Sequence, residues 1–101
     1  MNFSMLNQAR ELKAKLAQAQ KELGNVLVEG NAGRGAVKVI MDGKQKVKAI
    51  EISPKVIDPE KPKQLEELVL KAIADAAAKS QKAAAKQLKG LTGGFKIPGL
   101  F

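Results

Sequence analysis

From Met5 to Leu23 the large apolar residues return in a helical rhythm. Met5, Ala9, Leu12, Leu16, Ala19 and Leu23 are spaced 4, 3, 4, 3 and 4 apart. That narrow stripe predicts a helix over residues 5–23 that lies along a second helix. Ser4 is placed to cap its start, and Gly24-Asn25 to end it. The rhythm then shortens to that of strands. "NVLVE" (25–29) is rich in β-formers, "GNAGRG" (30–35) reads as a loop, and "AVKVIM" (36–41) alternates. Asp42-Gly43 is a hairpin signal, "KVKAIEI" (46–52) follows, and Ser53-Pro54 ends it. Two short connections predict an antiparallel meander. Val37, Val39, Ile50 and Ile52 fall on one face of it, with Ile40, Val47 and Ala49 on the other. A sheet open to water on one side alternates more cleanly, so the second face is expected to meet something, such as a second copy.

After an irregular crossing, "PKVIDPEKPK", a long helix is expected to about Lys89. Leu65, Val69, Ala72, Ile73, Ala76, Ser80, Ala83 and Gln87 share one face of it. That face starts with large residues and fades into small ones. Gly90 is read as the stop, leaving 1–90 as a single dimerising domain and 91–101 as a flexible C-terminal tail with an apolar end. Asp58-Pro59 opens the approach, and Pro62 is tolerable only near the helix start. The fold class is therefore α+β, in the order α-β-β-β-α, with a three-stranded antiparallel sheet and two long helices. A helix from Pro62 to Lys89 is about 42 Å long, whereas six-residue strands span ~20 Å. Both helices must overhang the sheet, the start of the first against the end of the second. The small residues Ala76, Ser80 and Ala83 allow close approach there. Such an arm buries little, a further reason to expect two copies.

Charge turns this architecture toward a partner. The chain of 101 residues has 18 basic and 10 acidic residues, a net charge of +8. From Ala76 onward there are Lys79, Lys82, Lys86, Lys89 and Lys96 and no acid. An anionic partner follows: nucleic acid, an anionic lipid surface or an acidic protein. The stripe Lys71, Asp75, Lys79, Lys82, Lys86, Lys89 occupies one narrow arc beside the apolar face. The bland explanation is that lysine and alanine are good helix formers, with lysines at the end the macrodipole prefers. The acid-free last quarter and the overhang bring a contact surface level with it. Arg10 and Lys13 lie on the solvent side of the first helix, where the arm geometry would bring them near those lysines. Glu11 and Lys15 form an i,i+4 pair.

Catalytic material is scarce. There is no Cys, His, Tyr or Trp, so the usual bases and nucleophiles are missing. The four hydroxyl residues Ser4, Ser53, Ser80 and Thr92 all have cap, turn or packing roles. No acid cluster has metal-ligand spacing. The chain is not expected to be an enzyme or to carry a cofactor, a metal or a small-molecule substrate. "GNAGRG" lacks the order of a dinucleotide fingerprint; Arg34 at its tip can still touch an anion. Sixteen of the 18 basic groups are Lys, point charges suited to phosphate, whereas base reading favours Arg. Without Trp or Tyr there is little to stack on unpaired bases. These choices favour the duplex DNA backbone over base readout. No apolar run has membrane-spanning length and no secretory signal precedes the first helix, so a soluble cytoplasmic protein without membrane attachment is expected.

The residues also resemble a known family. "MLNQARELKAKLAQAQKEL", "VEGNAGRGAVKVIMDGKQKVKAIEISP", "LEELVLKAIADAA" and "FKIPGLF" together look like the YbaB/EbfC family of bacterial nucleoid-associated proteins. The most specific positions are Gly33, Gly35, Val37, Val39, Gly43, Val47, Ile50, Ile52 and Pro54, then Leu65, Glu66, Leu68, Val69, Ala72, Asp75 and Ala76. "EKPKQ" departs from the pattern at the helix start. The resemblance implies a tweezer-like homodimer that binds DNA with its helices, located in the nucleoid, organising or regulating the chromosome. The expected DNA contacts are Arg10, Lys13, Lys79, Lys82, Lys86, Lys89 and Arg34. Expected packing or dimer residues are Leu12, Leu16, Leu23, Val37, Val39, Ile50, Ile52, Ala76 and Ala83. The alternative is a dimeric adaptor that grips a protein with its arms and the apolar tail (Phe95, Ile97, Leu100, Phe101); a membrane-surface role comes third.

Overall fold

A computed structural model describes residues 3–92. The chain runs through α1 (Phe3–Leu23), β1 (Leu27–Ala32), β2 (Val37–Asp42), β3 (Val47–Ile52), a 3-10 turn at Pro54–Val56 and α2 (Pro62–Thr92). The expected α-β-β-β-α order is found, with the antiparallel sheet ordered β1-β2-β3. Boundaries differ in instructive ways. Ser4 lies inside α1 rather than capping it. β1 begins and ends later than expected and takes in "GNA", so the β1–β2 turn is only Gly33–Ala36, closed by the Ala36 amide on the Gly33 carbonyl at 3.2 Å. Gly90 does not stop α2, which continues through Leu91 to Thr92. A single glycine lowers helix propensity by about 1 kcal/mol, which a 31-residue helix absorbs. The remainder of the expected tail, from Gly93 on, lies outside the described residues.

The core forms where the small stripe of α2 meets the alternating side of β2. Val37, Val39 and Met41 are buried against Ala72 and Ala76, with Val28, Ala32, Leu65, Leu68, Val69 and Ile73 around them. α2 lies across β1 and β2. The approach is closest at Gly30, buried in mid-β1, where an added Cβ would sit 2.3 Å from the Ala72 carbonyl oxygen and 2.4 Å from the Ala76 nitrogen. β3 is left exposed along its whole length. Its Ile50 and Ile52 stand opposite Val39 and Val37, on the same face as the core, yet are 45% and 37% exposed. One correction concerns Val47. A register shift between Ile40 and Met41 places it across from Met41, on the α2 side, instead of beside Ile40 and Ala49. One extra residue, Lys48, is accommodated there, as in a β-bulge.

α1, α2 and the β2–β3 turn meet at Asp42-Gly43. The Gly43 amide donates to the Leu23 carbonyl at the end of α1 (2.9 Å) and to that of Val26 (3.1 Å). The buried Ser80 hydroxyl of α2 donates to the Asp42 carbonyl at 2.7 Å. The Asp42 side chain, read from sequence as part of a simple turn, is buried and accepts the amides of Lys44 (2.8 Å) and Lys46 (2.9 Å). A buried carbonyl and carboxylate thus have every partner they need locally, and they fix how α1 leaves the sheet. From this junction α1 and the last turns of α2 run antiparallel and away from the strands. Ala19 is buried there, and Leu23, Leu12 and Ala83 are half-buried. The result is 68 Å long and only 22 by 18 Å across.

Candidate nucleic-acid interface

The projecting arm has two unlike sides. On one, Leu16, Leu23, Ala84 and Leu88 line a shallow apolar groove of about 240 Å³. On the other, Lys15, Gln18 and Glu22 of α1 face Lys86, Gln87 and Gly90 of α2 across a cleft of about 740 Å³. Gln87 donates to the Glu22 carboxylate across that cleft and ties the two helices. Lys86 lines the cleft, and Lys82 and Lys89 are exposed about one turn before and after it.

Lys79 is anchored to the sheet. Its ammonium donates to the Glu29 carbonyl of β1 at 2.8 Å and pairs with Asp75 at 3.2 Å. Asp75 in turn accepts the Asn31 amide of β1 at 3.0 Å. Two side chains of α2 therefore satisfy backbone groups on the outer rim of an edge strand, a position that otherwise recruits foreign strands. From sequence, Asp75 stands four residues from both Lys71 and Lys79 in the arc beside the apolar face. Their spacing is legible there, but the strand beneath them is not.

The remaining candidates are spread over the molecule. Arg10 precedes the buried Ala19 by nine residues, which puts it on the opposite side of α1; Lys13 is about a third of a turn from the Ala19 direction. Both are exposed on α1's outer flank, turned away from α2. Lys15 is the basic residue that α1 brings to Lys86. Its signal is position, four residues before Ala19 at the margin of the seam, but the pairing with Glu11 conceals it. Arg34 occupies a left-handed conformation (φ 57°) between Gly33 and Gly35. Gly33 abuts Leu68 near the start of α2, so Arg34 is roughly 20 Å along α2 from Lys82, near the pole opposite the arm.

Two carboxyls are held below their ordinary value of 3.8. For Asp42 the Lys46 amide contributes most; burial opposes it, and the Lys44 amide and the charges of Lys48 and Lys44 assist. For Asp75 the Asn31 amide contributes most, then Lys79. A carboxyl with a depressed folded pKa adds stability above its unfolded pKa and loses it as pH falls through the folded value. The melting temperature should therefore be insensitive to these groups near neutrality and fall below about pH 4. An Asp42→Asn, Asp75→Asn chain should show a flatter acid branch in circular-dichroism melts across pH; an unchanged branch would assign the acid sensitivity elsewhere.

Among the described residues no group of His, Cys, Asp and Glu is placed to hold a metal ion, and no helix is long and apolar enough to cross a membrane. Comparison with known proteins settles the class. The sequence model of the YbaB/EbfC DNA-binding family matches residues 1–95, and the chain belongs to that family. It is 40% identical over 97 residues to a nucleoid-associated protein of Pelotomaculum thermopropionicum, covering 96% of this chain and 92% of the relative. It is 42% identical over 100 residues to one of a Roseiflexus species, covering 98% and 99%. The crystal structure of an uncharacterized protein from Helicobacter pylori has the same fold, with a TM-score of 0.68 at 20% identity over 93% of this chain and 96% of that one.

Proposed function

We propose that this protein binds the backbone of duplex DNA with low sequence selectivity, as a homodimer in the bacterial nucleoid, and so organises or regulates the chromosome. The observation that carries this is the basic side of the arm. Lys82, Lys86 and Lys89 stand on a helix that has no acid after Asp75, on a rod projecting from the sheet. Lysines on a rod meet phosphates without requiring a base edge. The relatives named nucleoid-associated proteins support the same reading. Arg10 and Lys13 contribute charge on the outer flank of α1, and Lys79 contributes field while holding the sheet. Arg34, at the far pole, makes a separate backbone contact. Two copies pair through β3, whose Val47, Ile50 and Ile52 form a bare apolar strip beside the core; the packed α1–α2 seam keeps each arm straight.

The test is a mobility shift with duplex DNA, single-stranded DNA and RNA over a salt series, beside sedimentation of the free protein. Duplex should bind in preference, with affinity falling linearly on logarithmic axes as salt rises. Equal affinity for single strands, or no salt dependence, would overturn the reading.

A further inference from the structure

At the pole opposite the arm, α2 and the segment after the 3-10 turn enclose an apolar groove of about 610 Å³. Ile57, Leu65, Leu70 and Ile73 line it, and Leu70 is 68% exposed. Among the described residues, the charged ones lining it are both acidic, Asp58 and Glu66, in a chain of net charge +8. The matching sequence lies in the chain itself. Residues 93–101, "GGFKIPGLF", lie beyond the last described residue and carry four large apolar side chains, one lysine and no acid.

Reach decides whose groove is filled. Leu70 and Leu65 lie about 33 and 40 Å back along α2 from Thr92. At ~3.5 Å per residue Phe95 gets no more than about 11 Å from Thr92, and Phe101 no more than about 32 Å. Only the last two residues, at full extension, approach Ile73 at the near edge of the groove, about 29 Å back; Phe95, Lys96 and Ile97 fall well short of the groove of their own chain.

We infer that residues 93–101 of one copy dock in the Ile57–Leu70–Ile73 groove of another, with Lys96 toward Asp58 and Glu66. Thr92, from which the segment departs, lies about 33–40 Å along α2 from the groove's Leu70 and Leu65, so the contact is head-to-tail. A contact of that kind propagates into open chains unless its rotation closes a ring. Bound along one DNA molecule, neighbouring copies would then reinforce each other's binding.

The chain has no cysteine, so introduced thiols report the contact cleanly. A Leu70→Cys chain mixed with a Phe101→Cys chain should yield the mixed disulfide under mild oxidation, well above an Ala78→Cys control. A chain carrying both Leu70→Cys and Phe101→Cys should give a ladder of covalent multimers. A labelled peptide of residues 93–101 should bind the chain ending at Thr92, about tenfold or more weakly after Leu70→Glu, as expected when one apolar anchor is removed. Disulfides confined within single chains, cross-linking no better than the control, or peptide affinity unchanged by Leu70→Glu would overturn the inference. So would a Leu70→Glu chain that splits the dimer while the peptide never binds, which would make the groove a contact between folded bodies.

Discussion

Gly30→Ala should cost the chain most of its stability. The new methyl carbon would lie 2.3 Å from the Ala72 oxygen, 2.4 Å from the Ala76 nitrogen and 2.6 Å from the Ala76 Cβ. Two of those atoms are helix backbone and cannot rotate aside. α2 would have to lift from β1, which opens the seat of Val39 and pulls Asp75 and Lys79 from the strand rim. Overpacking of this kind costs about 3 kcal/mol or more, lowering the melting temperature by roughly 12–24 °C in a domain this small. Gly90→Ala is the internal control, since a Cβ there meets nothing within 4 Å. It should raise stability by about 1 kcal/mol, because Gly90 is helical. Thermal melts of the two chains side by side check both signs; equal shifts would mean that the close approach of β1 and α2 is not what Gly30 serves.

The second large effect concerns Lys82, Lys86 and Lys89. Replacing all three by Gln should weaken duplex binding by about a hundredfold or more at moderate salt. The salt slope should flatten by about 0.9 for each phosphate that is no longer neutralised, near 2.7 per chain if each lysine meets one. Folding should change little, since these side chains lie on the surface. Lys79→Gln should behave oppositely, lowering the melting temperature with only a small loss of affinity, because its ammonium is committed to Glu29 and Asp75. If Lys79→Gln abolished binding at an unchanged melting temperature, the division of labour along α2 would be wrong.

How far the sequence speaks for the structure varies by element. The α1 stripe and the large-to-small gradient of α2 are legible because each repeats at one period over several turns. β1 reads too short because Gly30 resembles a loop opener; only the helix backbone against it explains a glycine in mid-strand. Local propensity makes Gly90 a stop, but α2 continues past it. The offset of Val47 needs the β2–β3 register, which no alternation pattern contains. Within the candidate interface the lysine arc is visible from spacing alone. That Lys79 is anchored, that Lys15 shares the cleft with Lys86 and that Arg34 stands apart all depend on which strand or helix lies beside each.

The clasp of Asp75 and Lys79 on β1 sets a valency. With that border occupied, the three-stranded sheet offers docking room to a strand along β3 only. A building block receptive on a single border stops at two, whereas one receptive on both would polymerise through its backbone. Loosening the clasp, by Asp75→Ala for example, would give each sheet a second sticky margin and open a route to insoluble ribbon.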